Sequence, residues 1–526
     1  MGNTNKPKLR RFHQAKWDEE IIFELSNQGE RGILIPDVEE EIAGEVGDGV
    51  SAIPDGMRRA QMPGLPEVSQ MRVLKHFLRL SQHTLGADLN IDIGQGTCTV
   101  KYSPKINETF AASPKTTAIH PFQDQSTIQG ALEIIYKLDT FLREISGLDR
   151  FTFQPPSGSG AILTMASIVR KYHESRGEAD QRDEIITTIF SHPSDYAAAA
   201  VKGYKIVMLY HSEEDGYPDV EALRKAVSNR TAAAFITNPE DTGIFNPKIA
   251  EFTRIVHGAG GLCGYDQANA NGILGVTRAK EAGFDLCFFN LHKTFSAPHG
   301  CGGPATGALG VTNELADYLP VPIVEFDGEQ YSLNYGLPHT IGKVHLFHCI
   351  FPVVLKAYAW VMSLGAEGLR EAAKVAVLNN NYLLEHIKKI RGASAPFARG
   401  RRRIEQVRYS WEQLTEDTGV TTEDIAYRMA DFGFHLWSSH HPFIVPEPFT
   451  IEPTESYSKE ELDEYLAALE HIAKEAYEDT EVVKTAPHNS VIHRVDDSWL
   501  DDPEKWAITW RAYLKKHKNK SQQCES

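Results

Sequence analysis

The chain carries no closely spaced cysteine pair. Its six cysteines, Cys98, Cys263, Cys287, Cys301, Cys349 and Cys524, are scattered over 526 residues, which argues against a disulfide framework and against a zinc site, so no metal is expected. Reduced thiols and a cytoplasmic location are the corresponding expectation. No run of about 18 apolar residues offers a membrane span. Met1 to Lys16 is polar and basic, without the apolar core of a secretory signal, and Lys6 stands where a myristoylation signal needs Ser or Thr. Positive charge is in short supply: 54 Lys and Arg face 71 Asp and Glu, a formal net charge of −17. Neither nucleic acid nor an anionic membrane surface is therefore an expected partner. Internal repeats and low-complexity tracts are also absent, and an ordinary apolar and charged content excludes a collagen, a coiled coil or a wholly disordered chain.

What is present is length and alternation. A chain of 526 residues buries a large core and holds more than one structural unit. Residues 1–65 are charged and rich in Pro and Gly and read as an extended arm. Helical periodicity appears at Glu67 to Leu85 and Gly130 to Gly147. From Phe151 to about Val311, strand-like runs (Phe151 to Phe153, Glu184 to Phe190, Lys205 to Tyr210, Ala232 to Thr237, Leu262 to Tyr265, Leu286 to Phe289) alternate with helix-like runs such as Gly160 to Arg176, Val220 to Val227 and Pro247 to His257. That alternation predicts a mostly parallel sheet covered on both faces, in a large domain over 66–341. The chain reads as helical from Gly342 through Gly392. Strand-like and helical pieces then mix, with a strong amphipathic helix at Lys459 to Ala476. This predicts a smaller α/β C-terminal domain over 342–490 and a polar tail over 491–526.

The candidate chemistry sits at the strand ends. Lys293, in Asn290-Leu291-His292-Lys293-Thr294-Phe295, follows one apolar run and precedes a glycine-rich turn; Asp266 ends the run before it, 27 residues upstream. An acid at one strand end and a lysine after the next is how many enzymes hold pyridoxal phosphate (PLP). The lysine forms a Schiff base with the aldehyde, and the acid keeps the pyridine nitrogen protonated so that the ring can accept electrons. A surface lysine and a turn aspartate would explain the same spacing, so the neighbours decide. Ser157, Gly158 and Ser159 follow the first strand and open a helix, a phosphate-binding arrangement. His192 follows another strand and could stack on a ring. Thr242 lies in a polar turn after Thr237, where ligands bind in open α/β sheets. Ala268 is small enough for a flat ring to lie against it, and His292 adjoins the lysine. PLP is the cofactor these residues imply, with a small amino-acid substrate.

The stretch from Asn290 to Pro304 resembles the lysine segment of the glycine cleavage system P-protein (glycine dehydrogenase, decarboxylating), which runs Asn-Leu-His-Lys-Thr-Phe and then Pro-His-Gly-Gly-Gly-Gly-Pro. Cys98-Thr99-Val100-Lys101-Tyr102, Tyr265-Asp266-Gln267-Ala268-Asn269, Gly365 to Leu369, Ile451 to Glu455 and Ala486-Pro487-His488 resemble further family segments. The likeness covers roughly Ile21 to Arg494 and is nearest to subunit 2 of the two-subunit form. It implies a fold-type I PLP-dependent enzyme, an α/β protein with the architecture predicted above. It implies glycine decarboxylation with transfer of aminomethyl to the lipoyl group of H-protein. It also implies a homo-oligomer or a hetero-oligomer with subunit 1. Residue by residue it makes Lys293 the Schiff-base lysine and Asp266 the pyridinium partner. His192 becomes the stacking imidazole, Ser157 to Ser159 the phosphate turn, and Cys98, Thr99, Lys101 and Tyr102 the substrate entrance. The chain departs from the family pattern at Ser157 to Ile162, Pro193 to Tyr196, Gln267, Cys301, Ala305 and Ile404 to Val407. These departures cluster near the expected site. The alternative reading is therefore a diverged PLP enzyme (decarboxylase, oxidase, lyase or aminotransferase) acting on another amino acid or amine without a lipoyl partner.

Overall fold

The computed structural model describes residues 9–33, 35–61, 63–86, 89–94, 101–299, 303–436 and 444–495, with 506, 507, 509–512 and 514. The chain divides into two compact units, Met1–Arg11 with Gly86–Ala486, and Phe12–Leu85 with Pro487–Ser526.

The larger unit is built on a seven-stranded sheet of β1 (Arg150–Thr152), β2 (Glu184–Thr188), β3 (Lys205–Leu209), β4 (Thr231–Thr237), β5 (Leu262–Asp266), β6 (Leu286–Asn290) and β7 (Gly307–Val311). Their order is β1-β7-β6-β5-β4-β2-β3. The run from β6 to β3 is parallel, and β7 lies antiparallel to both β6 and β1. All six strands read from the sequence are present. A parallel sheet needs apolar side chains on both faces, and β6 supplies them alternately. Leu286 and Phe288 pack with Ala161, Ile162 and Met165 of the helix Gly158–Ser175. Cys287 and Phe289 join Leu132, Ile135 and Leu138 of the helix Gln129–Ser146 on the other side. Strand β7 escaped the sequence reading because Gly-Ala-Leu-Gly-Val is poor in strand formers. Its glycines answer to neighbours instead. A Cβ on Gly310 would lie 2.3 Å from the Phe151 ring, and one on Gly307 would lie 2.7 Å from the Ser157 carbonyl. The hairpin β8 (Ile323–Phe326) and β9 (Tyr331–Asn334) was not anticipated either.

The helix expected from Gly342 begins at Phe351, runs to Ile387, and is interrupted at Gly365, where φ is 64°. Its first part packs into the sheet core through Val354, Ala357 and Trp360. Its second part, through Leu383, Leu384 and Ile387, joins the C-terminal core. That core is closed by the antiparallel pair β10 (Val407–Ser410) and β11 (Pro448–Ile451) and by the helices Thr422–Ala430 and Lys459–Glu478. The last helix starts where the sequence said it should, because Ser458 and Glu461 form a reciprocal capping box.

The smaller unit joins segments from the two ends of the chain. The Gln14 N–H donates to the Asn489 carbonyl at 3.2 Å, its Oε1 accepts from the Val491 N–H at 3.1 Å, and the Phe23 ring stacks on Trp510 with centroids 4.8 Å apart. Within the helix Gln70–Gln82, His76 lies 2.8 Å from the Glu19 carboxylate. No helix among the described residues is long and apolar enough to cross a membrane.

In the C-terminal core, Phe449 is fully buried and its ring packs on both Tyr409 and Trp411, each with centroids 5.0 Å away. Phe449→Ala should cost about 3–5 kcal/mol, read as a lowered urea midpoint for the cofactor-free protein. A loss under about 1 kcal/mol would mean that this cluster is not what holds β10 to β11.

Candidate active site

Adjacent parallel strands set the site. Asp266 ends β5, and its backbone register partners are Thr237 on β4 and Phe288 on β6. Lys293 follows β6 in a turn closed by its own N–H donating to the Asn290 carbonyl at 3.0 Å. Two bonds tie the turns beyond β5 and β6 together. The Asn290 N–H donates to the Ala268 carbonyl at 3.1 Å, and the Ala270 N–H donates to Thr294 Oγ1 at 2.9 Å. Asp266 and Lys293, both almost fully buried, then face one cleft that opens to solvent. Its walls also include Phe190, His192, Thr237, Pro239, Asp241, Ala268, Asn269, Glu405 and Gln406.

Asp266 Oδ1 accepts the Ala268 N–H at 2.8 Å. Burial raises this carboxyl to about 6, with the Ala268 bond and the Lys293 charge pulling it down and Asp241 pushing it up. His192 caps the helix Pro193–Val201; its Nδ1 accepts the Ser194 N–H at 3.1 Å, which fixes the ring. His292 is buried against His299. Burial first, then the Lys293 and His299 charges, lower it to about 3, so its imidazole is neutral.

Ser157, Gly158 and Ser159 do not line the cleft themselves. Ser157 caps the helix Gly158–Ser175, its Oγ accepting the Gly160 N–H at 2.9 Å. Gly158 lies against the Asn290 amide so closely that a Cβ there would be 2.7 Å from Nδ2. The turn thus adjoins the lysine segment through Asn290. Thr242 is not brought to the cleft. Its hydroxyl donates to the Gly216 carbonyl at 3.1 Å, and the turn it belongs to seats the C-terminal domain. The Ile404 N–H donates to the Gly243 carbonyl at 2.8 Å, and Gly243, at φ +74°, has the Gln406 carbonyl where a Cβ would be. Lys101 is buried with its Nζ 2.7 Å from Glu455 and 4.9 Å from the Trp360 ring centre. Tyr102 is exposed, but its carbonyl accepts the Ser296 hydroxyl at 2.7 Å, three residues beyond the lysine. Cys98 and Thr99 lie outside the described residues.

The structure adds residues that sequence reasoning did not place. Asp241 pairs with Arg408 at 2.7 Å, both buried. Glu405 and Gln406 enter from the segment leading into β10, and Gln406 Nε2 donates to the Glu240 carbonyl at 3.0 Å. Asp241 and Asn269 were within reach, since both sit in turns already singled out. Glu405 and Gln406 come from far along the chain, and only the folded domain brings them in.

Whether PLP fits can be judged from the polar atoms. Asn290 Oδ1, His292 Nδ1 and Thr306 Oγ1 are buried without a hydrogen-bond partner. All three belong to the segments around the phosphate turn and the lysine. Asp266 is an acid raised by burial even with the Lys293 charge nearby. Unsatisfied polar atoms beside a helix N-terminus, together with a buried acid, suit an anionic phosphate and a cationic ring.

The parallel sheet with its lysine and acid at adjacent strand ends defines a fold-type I PLP-dependent enzyme. Residues 157–322 match the aminotransferase class-V model, and residues 372–495 match the model of the glycine dehydrogenase C-terminal domain. The chain is 46% identical over 504 residues to the probable glycine dehydrogenase (decarboxylating) subunit 2 of Pyrococcus abyssi, covering 95% of this chain and 98% of the relative. It is 42% identical over 480 residues to the protein of the same name from Caldanaerobacter subterraneus subsp. tengcongensis, covering 91% and 96%. Among solved structures it resembles an inhibitor-bound glycine decarboxylase (P-protein) of the glycine cleavage system, with a TM-score of 0.68 at 20% identity over 84% of this chain and 100% of that one. It also resembles a NifS-like protein, with a TM-score of 0.55 at 18% identity over 73% and 100%. The chain belongs to the glycine dehydrogenase (decarboxylating) subunit 2 family.

The Asp266 carboxyl gives a pH signature. Its folded value, about 6, stands above its ordinary 3.8, so its contribution to stability is fully present below about 3.8 and is lost as pH rises through about 6. Asp266→Asn should flatten the melting temperature of the cofactor-free protein between about pH 4 and 6.5. An unchanged pH slope would assign that titration elsewhere.

Proposed function

We propose that this protein removes the carboxylate of glycine as CO₂ and passes the aminomethyl group to a lipoyl carrier, using PLP held by Lys293. The observation that carries the reading is the placement of Lys293 and Asp266 in one cleft at the ends of adjacent parallel strands, in a chain of this family. When bound, PLP supplies an electron sink for the pair left as CO₂ departs. Lys293 is the amine that takes the aldehyde. Asp266 holds the proton at the pyridine nitrogen, and the positive charge there lowers the cost of burying the carboxylate. Ala268 would leave room for a flat ring, and His192, oriented by Ser194, would stack on it. Ser157, Gly158 and Ser159 present the helix N-terminus to the phosphate, with Asn290 and the neutral His292 completing its surroundings. Lys101, anchored on Glu455, and Tyr102 would form the substrate side.

The subunit 2 designation of the relatives supports assembly with a subunit 1, and lipoylated H-protein is the acceptor such chemistry needs. Further copies of this chain are also expected in the assembly. A cytoplasmic location fits the three buried free thiols Cys263, Cys287 and Cys349.

Borohydride reduction of the PLP-loaded protein followed by peptide mapping should place the pyridoxyl group on the peptide containing Lys293; finding it on Lys101 or Lys343 would sink the assignment. Supplied with subunit 1 and lipoylated H-protein, the wild type should exchange labelled bicarbonate into glycine, and Lys293→Ala should not. Lack of exchange by a PLP-loaded wild type would remove glycine decarboxylation and move the substrate to another amine.

A further inference from the structure

One acid of the cleft has no task in the scheme above. Asp266 faces the ring nitrogen and Asp241 is paired with Arg408, which leaves Glu405. Its side chain is 1% exposed, it lines the same cleft as Lys293, and its Oε2 has no hydrogen-bond partner. Room for it is made by Gly272, where a Cβ would lie 2.6 Å from that oxygen. Glu452, also buried, holds the neighbouring residues Asn269 and Asn271. Glu452 Oε1 accepts from the Asn269 and Asn271 amides at 2.5 and 2.6 Å, and its Oε2 is likewise without a partner. Burial and the nearby Glu452 charge both disfavour the ionised form of Glu405.

Resting on the function proposed above, we propose that Glu405 receives the ammonium group of the incoming amino acid and takes its proton. A substrate ammonium has no lone pair with which to displace Lys293; the free amine has. In the step, one N–H bond of the substrate breaks and one O–H bond forms on Glu405. The substrate nitrogen goes from +1 to neutral, and the Glu405 carboxylate goes from −1 to neutral. Glu405 suits this role on charge and on basicity. In its ionised form it attracts a cation into the cleft. Burial first and the Glu452 charge second raise Glu405 well above the usual carboxylate range. Burial raises Glu452 to about 7, opposed by the two asparagine bonds and by Lys293 and Lys101. A base raised toward neutrality takes an ammonium proton more readily than an exposed glutamate does. Tyr265, Lys293 and Lys101 are the other titratable groups that act on these acids, and the Tyr265 phenol, raised by burial, stays neutral.

The test mixes PLP-loaded protein with glycine and follows the change in cofactor absorbance from about pH 6 to 9.5. The wild-type rate should rise with pH as Glu405 ionises and then level off. Glu405→Gln keeps the shape but cannot take a proton. Its rate should fall about 100-fold at pH 7 and then climb about tenfold per pH unit with the free amine in solution, at unchanged PLP content. Glu405→Asp should load more slowly than wild type yet keep the wild-type pH profile, which also serves if the Gln variant does not fold. In the cofactor-free protein, a protonated-carboxyl infrared band should be present in the wild type and weaker in Glu405→Gln. Wild-type loading rates and pH profile in either Glu405 variant, or a wild type without that band, would overturn the proposal. A wild type that loads other amino acids but not glycine removes the glycine reading, and the Glu405 comparison is then read on those amino acids.

Discussion

Everything at this site depends on placing a carboxylate at the end of β5, out of water, beside a lysine at the end of β6. Neither residue is costly to place alone in solvent; together in the interior they need an exact register. That register comes from parallel pairing, with Asp266 opposite Phe288, and from the two hydrogen bonds that lock the following turns. The strands are held by apolar packing on both faces, so the geometry of a polar pair is set by residues with no polar function. A one-residue slip of β6 would exchange Phe288 and Phe289 between two cores and would move the lysine with them.

The C-terminal domain finishes what the sheet begins. It seats the segment 404–406 on the turn at Gly243, carries Arg408 to Asp241 and brings Glu452 to Asn269 and Asn271. Each of these contacts ends on a residue within a few positions of a strand end. The cleft is therefore a joint product of sheet and C-terminal domain, and its acids are distributed across both.

Legibility in the sequence followed the range of the interaction. The six alternating strands, the capped helix at Lys459 and the pairing of Asp266 with Lys293 were all readable, because periodicity, caps and strand-end motifs are local signals. Strand β7 was not, because its glycines are set by Phe151 and Ser157 from elsewhere in the chain. Thr242 was misplaced for a related reason. A polar turn after a strand looks the same whether it meets a ligand or a neighbouring domain, and here it meets Gly216 and the segment 404–406. Glu405 and Gln406 were visible only as departures from a family pattern, and their position beside Lys293 depends on contacts about 160 residues apart in the chain.

The electrostatics of the cleft explain why such a site tolerates so many buried acids. Asp266 and Glu452 are raised to about 6 and 7, and Glu405 is raised well above its ordinary range. Each shift is a cost of ionisation that the fold bears while the cleft holds no added cation. In the function proposed here, a protonated ring at Asp266 would supply one positive charge and an incoming ammonium at Glu405 another. Cofactor binding, substrate binding and stability would then be thermodynamically linked.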